Sequence, residues 1–252
     1  MILPLILLAA APPVRSVQGP PAPRVASERA RFDACVARGA TDPDAAARAA
    51  DDWIAEGGSV VARQCLGLIR AHQQDWRAAG QAFDAAAAAA VTAQDERAAT
   101  LFAQAGNAWL AAGDAPHART ALDAALASPQ LNGLQRGEAE LDRARAAEAS
   151  GDRTEARAAI DRALPLAGDD PLAWLLSATL ARRAGDLPRA KADIGEALRR
   201  SADDVSVQLE AGNIAAAAGD ASGAKAAWNE AKRLRPGSPQ ALAAGAALAQ
   251  FE

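Results

Sequence analysis

The stretches AGNAWLAAGD, at residues 105–114, and AGNIAAAAGD, at residues 211–220, both end in a Gly-Asp pair. The pair recurs along the chain, at Gly113-Asp114, Gly151-Asp152, Gly185-Asp186 and Gly219-Asp220. A Gly just after one helix can adopt the left-handed backbone conformation, and an Asp that follows it can cap the next helix. The pairs are 38, 34 and 34 residues apart, and Gln74-Asp75 lies 39 residues before the first pair. This spacing predicts a repeated unit of two helices joined by a tight turn.

The composition favours helices throughout the chain. Of the 252 residues, 50% are apolar and only 4% are aromatic, with no Tyr. Ala, the strongest helix former, is the most frequent residue, whereas sheet proteins are rich in β-branched and aromatic residues. The formal net charge of −4 gives no electrostatic basis for nucleic-acid binding. We therefore expect an all-α protein that does not bind nucleic acid.

Four positions of the repeat carry a consistent residue type when the Gly of each Gly-Asp pair is numbered fifteen. The twentieth and twenty-seventh positions are Ala in five units: Ala79, Ala118, Ala156, Ala190 and Ala224, then Ala86, Ala125, Ala163, Ala197 and Ala231. The eighth position is small: Gly67, Gly106, Ala144, Ala178 and Gly212. The twenty-fourth position is large and apolar: Phe83, Leu122, Ile160, Ile194 and Trp228. In this pattern the chain resembles the tetratricopeptide repeat (TPR) family, in which helices approach closely at the small positions.

The resemblance implies a right-handed superhelical solenoid of antiparallel helix pairs. Five units are expected within residues 59–238, followed by a capping helix at 239–252. Residues 28–58 carry two further helical patterns and are predicted to form a degenerate pair, either an N-terminal cap or a sixth repeat. The third unit departs from the pattern. It has Arg143 where the family has a large apolar residue, and four extra residues precede it, so its first helix is expected to begin early, near Gln130.

The N-terminus has the pattern of an export signal. Residues 1–11 read MILPLILLAAA, an apolar run that is too short to span a bilayer but suits the central part of a signal peptide. Residues 12–27 follow as a Pro-rich tether. The prediction is a periplasmic protein with no membrane span. The alternative is an unprocessed apolar tail on a cytoplasmic protein.

The cysteines bear on the same question. Cys35 and Cys65 are an even pair in a chain predicted to enter an oxidising compartment, which favours a disulfide between them. The alternative is two buried thiols in Ala-rich helices. Neither Cys has a His in a metal-ligand pattern nearby, so no metal site is predicted.

The sequence contains no recognisable active-site motif. The two histidines, His72 and His117, lie in no zinc-binding pattern and beside no nucleophile. The chain has no Gly-rich phosphate loop, no nucleophile elbow and no Cys-x-x-Cys pair. We therefore predict a protein that is not an enzyme and that needs no cofactor.

The resemblance instead implies a binding groove lined by the first helix of each unit. The ninth position contributes Asn107, Arg145, Thr179 and Asn213 to that inner face. Near them, Arg145, Arg182 and Arg183 suggest a basic spot for a carboxylate of the partner. The alternative is that Asn is merely common at this position and that the arginines are solvated. The carboxylate clamp of chaperone-binding members is absent, because its basic positions hold residues such as Gln64, Leu141 and Leu175.

Three functions are compatible with the sequence. The first is a periplasmic scaffold that binds a protein or peptide segment in the groove, within an envelope or secretion assembly. The second is a subunit that regulates or recruits an enzyme carried by another chain. The third is a cytoplasmic adaptor of the same fold. The sequence predicts no particular partner and no oligomeric state.

Overall fold

The structure is a computed structural model that describes residues 23–251, so the predicted signal peptide at 1–11 and the tether up to residue 22 lie outside the described residues. Thirteen α-helices, and no strand, occupy the described range. In chain order they are α1 Pro23–Gly39, α2 Pro43–Ala55, α3 Val60–His72, α4 Trp76–Thr92, α5 Ala98–Ala111, α6 Ala115–Leu126, α7 Gly133–Ala149, α8 Arg153–Ala167, α9 Pro171–Arg183, α10 Leu187–Arg200, α11 Val205–Ala217, α12 Ala221–Leu234 and α13 Pro239–Gln250. The predicted all-α class is confirmed.

The Gly-Asp pairs form the turns within the helix pairs. Gly113, for example, has φ +72°, and the Asp114 carboxylate accepts a hydrogen bond from the His117 backbone N–H at 3.3 Å. The same left-handed glycine and capping Asp recur in the later pairs. In the first pair Gln74 adopts the left-handed conformation, with φ +60°, although it has a side chain. The turn predicted from the sequence is confirmed, and Gln74 shows that the geometry is kept even without Gly.

The small positions of the repeat are the places where helices touch. All ten alanines at the twentieth and twenty-seventh positions are 0% exposed. The eighth position faces the twenty-fourth, since a Cβ built on Gly67 would lie 2.7 Å from the Phe83 ring. Gly106 and Gly212 are as close to Leu122 and Trp228. Where the twenty-fourth residue is Ile160 or Ile194, the residue at the eighth position is Ala instead of Gly, and the two lie in one apolar cluster. The eighth position is thus small wherever it faces the large residue of its own pair.

Successive helices pack against each other, and the first helices of neighbouring pairs also touch, as α5 touches α7 and α9 touches α11. Alternate helices therefore line one continuous inner face, and the second helices form the outside of a right-handed superhelical solenoid. The helix pairs α3–α4, α5–α6, α7–α8, α9–α10 and α11–α12 carry the five repeats, and α13 packs against α11 and α12 at the end of the stack.

The helix bounds differ from the expected ones at two places. Helix α1 begins at Pro23, inside the stretch 12–27 that was expected to be a tether, since Pro is well tolerated in the first turn of a helix. Helix α7 begins at Gly133, later than Gln130 but four residues before the position that the repeat alone would give. The residues inserted before the third unit therefore lengthen both the turn and the first helix.

The N-terminal helices are joined to the stack by a covalent link. Cys35 of α1 and Cys65 of α3 form a disulfide, with their Cα atoms 6.5 Å apart. Both residues are buried in a small apolar cluster with Ala46, Ala50 and Ile69. The same region has an ion pair at 3.0 Å between Arg31 of α1 and Glu56, the residue that ends α2.

Candidate functional site

An open cavity of about 370 Å³ lies on the inner face between α3, α5 and α7, with α4 behind it. We call it the first cavity. Its apolar lining includes Leu68, Trp76, Phe83, Ala103 and Leu131. Its polar lining consists of Thr100, Gln104, Asn107, Gln135, Glu138 and Asp142. No Arg or Lys within residues 23–251 lines it.

The polar side chains around the first cavity are partly linked to one another. The Gln64 amide donates to the Gln104 carbonyl at 3.3 Å, between α3 and α5. The Asn107 amide donates to one oxygen of Asp142 at 3.0 Å, between α5 and α7. The Arg145 guanidinium donates to the other oxygen of Asp142 at 2.9 Å. Glu138 differs, because it is exposed and makes no hydrogen bond or ion pair with any residue of the described range.

A second cavity of about 300 Å³ follows along the same face, between α7 and α9. Its apolar lining is Ala144, Ala149, Ile160, Leu176 and Leu180. Its polar lining is Arg145, Glu148, Thr179 and Arg183. The Thr179 hydroxyl donates to the Leu175 carbonyl at 2.9 Å, within its own helix. The Arg145–Asp142 pair stands between the two cavities, since Arg145 lines the second and Asp142 the first.

Further along, a buried carboxylate joins α9 to α11. Glu210 is only 6% exposed and accepts two hydrogen bonds from the Arg182 guanidinium, at 2.6 and 3.2 Å. The Asn213 amide donates to the same carboxylate at 3.1 Å, and the Trp228 indole donates to the Asn213 carbonyl at 3.1 Å. These groups satisfy one another, as buried charges require.

Comparison with known proteins bears on the fold. No family model matches the sequence, and neither does any curated protein. Among solved structures, PilF from Pseudomonas aeruginosa is similar, with a TM-score of 0.67, 16% identity, and coverage of 88% of this chain and 99% of that one. PilW, described as a widely conserved type IV pilus biogenesis factor, has a TM-score of 0.71, 18% identity, and coverage of 86% and 97%. YrrB, described as a TPR protein with an unusual peptide-binding site, has a TM-score of 0.56, 17% identity, and coverage of 75% and 92%.

The chain has the tetratricopeptide repeat fold. With this, the resemblance drawn from the Gly-Asp turns and the small positions is confirmed at the level of the fold.

The structure distributes the predicted groove residues over three places on the TPR inner face. Arg145, Thr179 and Arg183 come together at the second cavity. Asn107 lies at the first cavity, and Arg182 and Asn213 both bind Glu210.

The arginines of the predicted basic spot are paired within this chain, and their role in binding a partner stays a prediction. Each of its arginines is paired with a carboxylate of this chain: Arg145 with Asp142, Arg182 with Glu210 and Arg183 with Glu148. A carboxylate of a partner would therefore have to compete with the carboxylate that each guanidinium already contacts.

Other TPR inner-face residues were not identified from the sequence, and the main ones are Leu68, Trp76, Glu138 and Asp142. Glu138 and Asp142 are four residues apart, so they lie on one face of a helix, and this spacing was the available signal. It was obscured because the third unit begins with inserted residues.

Two further observations apply to the described part of the chain alone. Within residues 23–251, no group of three or more His, Cys, Asp or Glu side chains is arranged to hold a metal ion. Over the same range, no helix combines the length and the apolar character that crossing a membrane requires.

Proposed function

We propose that this protein is a non-enzymatic scaffold that holds a protein or peptide segment on the inner face of its TPR solenoid. The observation that carries the proposal is the pair of neighbouring cavities, of about 370 and 300 Å³, between consecutive first helices. Both have apolar floors with hydrogen-bonding groups around them, which is the usual make-up of a ligand site. A continuous chain laid along the face would meet one cavity and then the other.

Site-specific photocrosslinking tests this proposal. A photoreactive amino acid replaces Asn107 or Thr179 on the inner face, or Lys225, which is exposed on α12, as the matched control. In the native host, crosslinks to one defined partner are expected from the two inner positions and not from the control. A partner that crosslinks equally well from Lys225, or from that position alone, contradicts the proposal.

We further propose that the scaffold works in the periplasm as part of an envelope or secretion assembly. The apolar run at residues 1–11, the Cys35–Cys65 disulfide and the similarity to PilW support this location. A disulfide persists in oxidising compartments and is rare in the cytosol.

Fractionation of a tagged chain, with mass analysis of its N-terminus, tests the location. The expected result is a processed chain in the periplasmic fraction that, after alkylation without reductant, leaves no free thiol. A full-length chain with two alkylated cysteines in the cytosol would support the cytoplasmic adaptor instead.

A further inference from the structure

We propose that the first cavity takes a long apolar side chain of the partner segment together with an adjacent Lys or Arg. This inference rests on the proposed function and adds the chemistry of the ligand. It reverses the sign of the ligand charge expected from the sequence, where the arginines of the inner face pointed to an acidic partner.

The aromatic lining of the cavity gives the first reason. Trp53, Trp109 and Trp174 each have an Arg of this chain over the ring, at 4.7, 5.8 and 5.2 Å from the centroid. Trp228 packs edge-on against Phe251. Within residues 23–251, Trp76 has neither a cation nor another ring against it, and its indole N–H has no hydrogen-bond acceptor. Trp76 is only partly buried and lines the cavity, so the accessible part of its ring is available to a cation of the partner.

The charges around the cavity give the second reason. Glu138 and Asp142 are its ionisable lining residues. The Asp142 charge is compensated by Arg145, but no described residue compensates Glu138. Arg136 is not a lining residue, and its guanidinium donates to the backbone carbonyl of Leu131 at 3.3 Å. Among the residues that line the cavity the uncompensated charge is thus negative, and a cationic ligand matches it.

The apolar floor and the neighbouring cavity give the third reason, and they favour a polypeptide over a small cation. Leu68, Phe83 and Leu131 form a floor that binds an alkyl or aromatic side chain and not a hydrated ion. The second cavity begins directly beyond the Asp142–Arg145 pair, so a segment with a second apolar residue can occupy both. An apolar side chain next to a Lys or Arg, in an extended segment, satisfies all of these features.

Selection from a random twelve-residue peptide library displayed on phage, with the full chain as bait, tests the inference. We expect the selected peptides to contain Lys or Arg beside Leu, Met or an aromatic residue. One synthetic peptide from the selection is then titrated by calorimetry against the wild type and three variants, each checked by circular dichroism for an unchanged helix content.

Each of the three variants tests one contribution to peptide affinity: the negative charge in the cavity, the aromatic surface of Trp76, or the overall charge of the protein. Glu138→Lys is expected to weaken the peptide about tenfold or more, since it replaces an attraction with a repulsion. Trp76→Leu keeps the site apolar but removes the ring face, and about a three- to tenfold loss is expected. A version of the peptide with its Lys or Arg replaced by Ala is titrated as the comparison and should bind the wild type and Trp76→Leu about equally. Glu96→Lys, in the exposed turn after α4, makes the same change of charge at a residue that does not line the cavity and is expected to have less than about a twofold effect.

The outcomes distinguish this inference from the proposed function. Peptides that are acidic, or that bind Glu138→Lys as well as the wild type, overturn the inference. If those peptides still crosslink to Thr179 at the second cavity, the scaffold function stands without it. If the library yields no peptide that binds the inner face, both are overturned.

Discussion

The first two repeats, residues 60–126, and the next two, residues 133–200, have the same helical geometry but are held together by different forces. Between the first two repeats the buried packing is mainly apolar, and polar contacts such as those of Gln64 with Gln104 and Arg77 with Asp114 lie around it. Leu101 and Leu122 are 0% exposed, and the Trp109 ring packs directly over Gly80. One continuous apolar cluster runs from Val60 in α3 to Ala146 in α7.

The third and fourth repeats rely much more on charged side chains. Glu140 is only 3% exposed and accepts a hydrogen bond from Arg162 at 3.0 Å. Arg143 contacts Asp123 of the preceding repeat at 2.7 Å and Glu155 at 2.8 Å. We call Asp123, Glu140, Arg143, Glu155 and Arg162 the charged joint.

The difference shows which positions of a repeat can vary. Arg143 stands at the seventh position, where the first repeat has Leu66. The arginine is tolerated because carboxylates from three helices, α6, α7 and α8, surround it. The alanines of the twentieth and twenty-seventh positions do not vary, because helix backbones approach each other there and any larger side chain would push them apart.

Breaking the charged joint is expected to have the largest effect. Arg143→Met or Arg162→Met alone should reduce the free energy of unfolding by about 1 kcal/mol. The double variant should lose about 3–5 kcal/mol, because Glu140 is then buried without any partner. Adding Glu140→Met should restore most of the loss, as measured by urea unfolding. Strictly additive losses, or no recovery in the triple variant, would show that the joint does not act as a unit.

A cavity-creating substitution in the apolar first two repeats is the counterpart of breaking the charged joint. Leu122→Ala should reduce the free energy of unfolding by about 2–5 kcal/mol, because a fully buried side chain leaves a cavity against Gly106. Unlike the charged joint, this loss should be the same at low and high salt. Leu242→Ala, at a position 67% exposed on α13, is the control and should change stability by less than about 0.5 kcal/mol.

The turn of the first repeat offers a stabilising change. Gln74→Gly should raise the free energy of unfolding by about 1 kcal/mol, because a residue with a Cβ is strained at φ +60°. Gln73→Gly, one residue earlier at φ −73°, is the control and should not stabilise. The midpoints of thermal unfolding of the two variants test this prediction. Equal midpoints would show that the left-handed conformation of Gln74 does not strain the folded state.

Lowering the pH should change the contributions of Asp84, in the first region, and of Asp161, in the second, to the free energy of unfolding in opposite directions. Burial raises the pKa of Asp84, by more than the hydrogen bond from Trp109 and the charge of His117 lower it. Burial also acts to raise the pKa of Asp161, but hydrogen bonds from Arg189 and Arg157 outweigh it and hold that pKa below its ordinary value.

The folded state therefore gains stability from Asp84 as the pH falls through its raised pKa towards about 3.9, the unfolded value. From Asp161 it loses stability as the pH falls below about 3.9 and through the lowered pKa. Asp84→Asn should remove the gain in stability on acidification, and Asp161→Asn should remove the loss. Each effect should be smaller than about 1 kcal/mol because both sites are partly solvated. Urea unfolding between pH 7 and pH 3 measures both, and effects of the same sign would refute the assignment.

The sequence was a good guide wherever structure depends on neighbours along the chain. The turn at Gly113-Asp114 and the burial of Ala118 follow from local geometry and from the period, and both were predicted. The partners of Arg182 and Arg183 were not predicted, because they come from other repeats: Glu210 is 28 residues from Arg182, and Glu148 is 35 from Arg183. Several carboxylates were within the same range of sequence, and only the superhelical arrangement selects among them.

The first cavity was missed for a related reason. It combines α3, α5 and α7, and its acidic side comes from a helix whose start is displaced by the inserted residues. A register fixed at the turns does not show which face of that longer helix points inward. The export signal and the partner remain predictions.

The disulfide between Cys35 and Cys65 also determines how the molecule would carry mechanical tension. A pull applied to the chain before Cys35 passes through the sulfur atoms into α3 and bypasses α2. The segment between the two cysteines, which are 30 positions apart in sequence, cannot then be extended, and this removes about 100 Å of extension from the unfolding chain. Reduction of the disulfide would allow this segment to extend, and α1 and α2 would then be the first helices to unfold under force.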